Sequence, residues 1–165
     1  GRGEFIIGKY IGLCQTLLVN VAVMGVGVTL ALLYVEGGRF VGGIWTAILL
    51  IFLELTILTA VAIMFSSFST PALSALLTFL VFVIGHFSAS LRDMAQEIGS
   101  TQARVFFEAV YYLLPNLSLF SFITETSNGM TPPVQMIVSV GFYAFVYDAI
   151  LLTVSVVIFS RRNFK

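Results

Sequence analysis

Residues 44–65 read IWTAILLIFLELTILTAVAIMF, an apolar run with a single carboxylate, Glu54, at its centre. A helix needs about 20 apolar residues to cross roughly 30 Å of hydrocarbon. Lipid offers the backbone no hydrogen bonds, so a run of this length has to satisfy its own N–H and C=O groups as a helix. The stretch therefore predicts a transmembrane helix, and it raises the question of what surrounds the carboxylate.

The whole chain has the composition of a membrane protein. Of its 165 residues, 59% are hydrophobic and 10% are charged, against about 25% charged residues in a typical soluble domain. Its mean hydropathy is +1.05. Eight basic and eight acidic residues give no net charge, so there is no strong field to attract nucleic acid. We expect the lipid bilayer as the surroundings and no nucleic acid as a partner.

Four stretches are long and apolar enough to cross the bilayer, at about 10–34, 41–65, 72–90 and 134–160. They do not alternate polar and apolar residues as the strands of a membrane barrel do. The sequence contains no internal repeat and no separate soluble domain. The predicted fold class is all-α, a polytopic membrane protein whose four transmembrane helices form a single domain over residues 1–165.

A fifth helix is predicted between the third and fourth spans, at about 103–114. Arg104 and Glu108 lie four residues apart on its polar side, and Pro115 is expected to end it. Its Phe and Tyr residues are of the types that sit at a membrane–water boundary. The pattern predicts a short interfacial amphipathic helix on the outer side.

The basic residues predict the orientation. Four spans place both termini on one side, which carries five basic residues against three on the other. Cytoplasmic segments next to a membrane are enriched in Lys and Arg. Both termini are therefore expected in the cytoplasm, with the chain in the cell (inner) membrane. The five residues are Arg2, Lys9, Arg161, Arg162 and Lys165.

Glu54 is the first candidate for a functional residue. A charge at that depth costs about 2.5–3.5 kcal/mol on insertion scales, so it should face protein or water rather than lipid. It either contacts a substrate, ion or proton on an intramembrane pathway, or it forms a packing contact between helices. The packing interpretation is favoured, because the helix of Glu54 holds no relay partner.

Asp148 and Asn20 allow the same two interpretations. Asp148 shares a helical face with small residues, which let helices approach closely. Asn20 continues a series of small residues at spacings of four, and an interhelical hydrogen bond is favoured over a place on a substrate path. The small residues are Gly141, Ala144 and Ser155 around Asp148, and Gly8, Gly12 and Thr16 before Asn20.

Motifs for catalysis, metals and cofactors are not found in the sequence. His86, near the outer end of the third span, is interpreted as an interfacial anchor rather than a ligand. Cys14 is the single cysteine, so no internal disulfide can form. No phosphate loop, zinc-protease motif or nucleophile elbow occurs. We expect no catalytic residue, no metal and no cofactor in this chain.

Four phrases together resemble one family. They are EFIIGKYIGLCQTLLVNVAVM (4–24), FLELTILTAVAIMFSSFSTPALSALLTFLVFVIGH (52–86), YYLLPNLSLF (111–120) and SRRNFK (160–165). They are similar to permease subunits of ABC-2-type transporters, in the branch associated with multi-copper enzyme and nitrous-oxide-reductase maturation. The similarity covers nearly the whole chain and rests on long phrases in order.

The resemblance implies a transport subunit that moves a substrate with ATP hydrolysed by a separate ABC ATP-binding subunit. Family members have six spans, so this chain is expected to be a C-terminal fragment with the last four. A second permease copy is expected to complete a dimer. Two alternatives stay open. One is a membrane anchor or assembly subunit, and the other is an intramembrane enzyme using Glu54, Asp148 and His86, which the sequence places on different spans at different depths.

Overall fold

The computed structural model describes residues 2–36, 41–88, 90, 93, 101–121 and 132–161, without the side chains of residues 2, 36, 41, 103 and 161. The described residues contain no β-strand, which confirms the all-α prediction. The elements in chain order are α1 (Arg2–Glu36), α2 (Val41–Ser66), α3 (Pro71–His86), α4 (Thr101–Leu113), a 3₁₀ helix (Leu117–Phe120) and α5 (Val134–Arg161).

Three helices in this described part of the chain are long and apolar enough to cross a membrane. They lie at Gly3–Val35, Gly42–Ser66 and Val134–Ser160, and they coincide with the spans predicted at 10–34, 41–65 and 134–160. α1 begins eight residues before its predicted start, since Glu4 and Lys9 can be helical outside the hydrocarbon. Arg162 and Lys165, which the predicted orientation also uses, lie outside the described residues.

The third predicted span, 72–90, is confirmed as a helix but not as a full crossing. α3 begins with Pro71 at its first turn, after Thr70 as N-cap, a position where the missing proline N–H costs nothing. It ends at His86, and the Phe87 N–H caps it by donating to the Val83 carbonyl. Its 16 residues rise only about 24 Å, which is less than the hydrocarbon thickness of roughly 30 Å.

α2 lies at the centre of the bundle. It packs against α1, α3, α5 and the 3₁₀ helix. In its most apolar window 39% of the residues are buried, against 22% in α5 and 6% in α1. The buried apolar cluster therefore forms around α2. Its members are Leu50, Ile57, Ala60, Val61, Val81, Leu117, Phe120, Val140, Ala144 and Leu151.

The small-residue face of α5 is turned into this bundle. Ala144 and Ser155 are fully buried, and a methyl group built at Gly141 would lie 3.9 Å from Leu53 of α2. Without large side chains in between, the two helices pack closely, and α2 and α5 share the most extensive contact of the described part of the fold.

α4 matches the amphipathic helix predicted at 103–114 and ends two residues before Pro115. Arg104 Nε donates to Glu108 Oε1 at 2.9 Å, as their spacing of four predicts. The helix itself is confirmed, while its position at the outer membrane surface stays a prediction.

The segment after α4 inserts into the bundle. Leu117 and Phe120 of the 3₁₀ helix are 0% and 1% exposed and join the apolar core. Gly85 of α3 makes this possible, because a Cβ there would lie 2.8 Å from both the Pro115 carbonyl oxygen and Leu117 Cγ. The close approach of α3 to this segment requires glycine at position 85.

We expect Gly85→Ala to destabilise the protein by about 1–3 kcal/mol, the usual cost of forcing an extra group into a packed site. Gly27→Ala is the matched control, since a Cβ there would meet nothing within 4 Å. The measurement is the free energy of unfolding of both variants in bicelles. Equal stability of the two variants would contradict the close contact.

Candidate functional site: a carboxylate–imidazole pair inside the bundle

Glu54 lies on the buried face of α2. Leu50 precedes it by four residues and Ile57 follows it by three, and both are fully buried, so all three share one face of the helix. Glu54 itself is 8% exposed. The carboxyl group thus lies inside the protein.

The partner of Glu54 is His86 of α3. Nε2 of His86 lies 3.5 Å from Oε1 of Glu54. This corrects the prediction that the two residues lie at different depths. Along their helices, Glu54 is about 18 Å and His86 about 22 Å from the turn that joins α2 to α3. Because α3 is short, its last residue comes level with the middle of α2.

The imidazole ring of His86 is held by its own helix. Nδ1 lies 3.2 Å from the carbonyl oxygen of Phe82, one turn earlier. The rings of Phe82 and His86 are also in contact, with centroids 4.6 Å apart. These two contacts direct Nε2 toward α2, while the side chain keeps 31% of its surface exposed.

Asp148 belongs to a second polar contact, which joins the first and last helices. The Tyr10 hydroxyl donates to Asp148 Oδ2 at 2.8 Å. Oδ1 is buried and accepts no hydrogen bond from the described residues. Thr56 of α2 lies beside this carboxyl group, but its single hydroxyl hydrogen is donated to the Leu53 carbonyl at 2.7 Å. Tyr10 is therefore the donor on which Asp148 depends.

Asn20 is not brought to either pair. It is exposed on α1 and has no hydrogen-bond partner among the described residues. Gly8 and Gly12 are exposed on the same helix, and a Cβ at either would meet nothing within 4 Å. The expected interhelical hydrogen bond is therefore not made within the described chain. α2 and α5 pack against other faces of α1.

Sequence reasoning missed a polar cluster beside the end of α3. The hydroxyls of Ser88 and Ser118 both donate to Asn116 Oδ1 at 2.6 Å. The backbone N–H of Asn116 donates to the Tyr143 hydroxyl at 3.0 Å, and the Tyr147 hydroxyl donates to the Leu113 carbonyl at 2.9 Å. Together these bonds join the inserted segment to Ser88, just after α3, and to α5, and they join the end of α4 to α5. The spacing of four between Tyr143 and Tyr147 places both hydroxyls on one face of α5, and this was the feature of the sequence that could have indicated the cluster.

No protein-family model matches the chain, and no curated protein or solved structure matches it. Its function has to be inferred from its own residues and geometry. Among the described residues, no group of three His, Cys, Asp or Glu side chains is placed to hold a metal ion. Two side chains from two helices, Glu54 and His86, form the candidate site, and their chemistry is that of a proton donor facing a proton acceptor.

A groove between α1 and α2 is separate from this site. It has a volume of about 410 Å³ and is lined only by apolar residues, among them Met24, Gly25 and Ile48. Glu54 does not line it. A groove of this kind accommodates hydrocarbon and offers no polar group to a charged molecule.

Removing the Tyr10 hydroxyl should weaken the contact between α1 and α5. We expect Tyr10→Phe to lower the free energy of unfolding by about 0.6–1.7 kcal/mol, the range found for hydrogen bonds between membrane helices. Tyr34→Phe is the control on the same helix, because Tyr34 is 92% exposed. Steric trapping in bicelles would measure both variants. A double-mutant cycle that combines Tyr10→Phe with Asp148→Asn should give a coupling energy between the two residues. A coupling energy of zero would show that this hydrogen bond does not contribute to stability.

Proposed function

We propose that this chain is the transmembrane permease subunit of an ABC transporter of the ABC-2 type. It would move an unidentified substrate across the cell membrane, with ATP hydrolysed by a separate ABC ATP-binding subunit. The observation that carries the proposal is the contact between the buried carboxyl group of Glu54 and the partly exposed imidazole of His86, on two apolar helices. Ionisable residues inside transmembrane segments are costly, and they typically mark substrate, ion or proton pathways. The resemblance of the four sequence phrases supplies the transporter class.

The proposed topology has four crossings with both termini in the cytoplasm. α3 would form the first part of the third crossing, and the inserted segment from Pro115 to Phe120 would fill the space beside its end. α4 would lie in the outer interface of the bilayer. Its exposed Phe106 and Tyr112 have the rings that favour the headgroup region.

The exposed length of α1 supports an assembly larger than one chain. Only 6% of its most apolar window is buried, and Asn20 lies uncovered along it. Transmembrane helices associate through small residues and polar side chains, and α1 carries both on one side. A second permease copy would supply the partner in the proposed dimer.

A non-transporting membrane anchor is the second candidate. The apolar groove between α1 and α2, which Glu54 does not line, favours it, because a polar cargo would find no contact there. An anchor would position a partner protein, and Glu54 would then serve packing alone. The two candidate functions differ in whether Glu54 affects ATP hydrolysis by the partner subunit.

Co-purification and ATP turnover distinguish them. The protein would be expressed with an ABC ATP-binding subunit from the same organism and reconstituted into lipid. We expect a stable complex, and we expect Glu54→Gln to lower ATP turnover roughly tenfold, which corresponds to about 1.4 kcal/mol of activation free energy. Glu108→Gln is the control, because Glu108 pairs with Arg104 on the exposed side of α4. A complex that carries this variant should hydrolyse ATP at the wild-type rate.

The other outcomes are equally informative. Failure of the two proteins to associate would overturn the permease proposal and favour the anchor. A stable complex in which Glu54→Gln and Glu108→Gln give the same ATP turnover would support the permease proposal and show that Glu54 is a packing residue.

A further inference from the structure

The hydrogen bond made by one nitrogen of His86 determines the state of the other. Nδ1 lies 3.2 Å from the Phe82 carbonyl oxygen, and a carbonyl oxygen can only accept. Nδ1 must therefore carry a hydrogen. In a neutral imidazole the second nitrogen is then an acceptor without a hydrogen, and here that nitrogen is Nε2, the atom that faces Glu54.

Nε2 and Glu54 Oε1 are 3.5 Å apart inside the bundle. If both were without a proton, two lone pairs would face each other at a site where Glu54 is only 8% exposed, and burial disfavours the charged carboxylate. A proton on either atom makes the contact attractive. On the carboxyl group it gives a neutral pair in which an O–H faces the nitrogen lone pair, and on the imidazole it gives an ion pair.

We propose that Glu54 Oε1 and His86 Nε2 together bind one exchangeable proton, forming a proton site that joins α2 to α3. Moving the proton from the carboxyl oxygen to Nε2 breaks one O–H bond and forms one N–H bond, and no other reactant is needed. Nδ1 keeps its hydrogen throughout and donates it to the Phe82 carbonyl oxygen. The inference does not depend on transport, and it holds equally for a permease and for an anchor.

Other ionisable groups near α2 are engaged elsewhere. Within the described residues, α2 carries only Glu54, α3 carries only His86, and the 3₁₀ helix carries none. On α1, Tyr10 bonds Asp148 of α5, with Cys14 next to Tyr10. On α5, Tyr143 and Tyr147 contact the Asn116 N–H and the Leu113 carbonyl. Among the side chains that the structure describes, the proton site therefore consists of Glu54 and His86.

His86 provides the route of exchange. Its side chain is 31% exposed while that of Glu54 is 11% exposed, so the imidazole is the one of the two groups that reaches the surface of the bundle. The position of His86 at the end of α3 leaves the ring open on one side and in contact with the carboxylate on the other. Glu54 gains access to the proton through His86.

The chain contains a single histidine, so labelling with ¹⁵N-histidine reports on this site alone. The experiment is a pH titration of the labelled 165-residue chain in lipid bilayers, followed by solid-state NMR. We expect Nδ1 to carry its hydrogen at every pH and Nε2 alone to titrate. A neutral ring with its hydrogen on Nε2 would overturn the proposal, and the wild type is sufficient to decide this.

The second test asks whether the two groups share the proton. Groups that interact by more than about one pK unit titrate as a pair, so Glu54→Gln should move the Nε2 midpoint by about one pH unit or more. Glu108→Gln changes a carboxylate that is paired with Arg104 and should leave the midpoint unchanged. Equal midpoints in wild type, Glu54→Gln and Glu108→Gln would overturn the shared site.

Discussion

Hydrocarbon offers a carboxyl group neither water nor a counterion, so Glu54 constrains everything packed around α2. Its helix is apolar for more than 20 residues, and a lipid-facing carboxyl at its midpoint would oppose insertion. The fold places this side chain on the buried face of α2, where the imidazole of His86 meets it at 3.5 Å. α2 is accordingly the most buried of the three long apolar helices.

The short α3 is what makes this contact available. His86 comes level with Glu54 because the two residues lie about 22 and 18 Å from the turn that joins α2 to α3. The chain caps α3 at Phe87, and the segment that returns after α4 fills the remaining space with Leu117 and Phe120. Gly85 allows that segment to approach, and Asn116 fixes it by hydrogen bonds. The proton site and the inserted segment thus depend on the same helix end.

The two polar contacts of the bundle differ in chemistry. Tyr10 donates to Asp148 and joins α1 to α5, a fixed donor with a fixed acceptor that contributes to packing. The contact between Glu54 of α2 and His86 of α3 joins a carboxyl group, which can give up a proton, to an imidazole nitrogen, which can accept one. It therefore differs from the Tyr10–Asp148 contact in that a proton can pass between its two groups.

The sequence by itself determined the all-α class, the three long apolar helices and the amphipathic helix that ends before Pro115, because apolar length, spacing and proline act locally. It also identified Glu54 and Asp148 as buried ionisable groups that need explanation. Only the tertiary structure decided their partners. His86 and Tyr10 lie 32 and 138 residues away along the chain, and no local rule sets the depth at which α3 ends. The close approach of Gly85 to Leu117 is likewise a contact between distant segments, and the uncovered face around Asn20 depends on which side of α1 the bundle occupies.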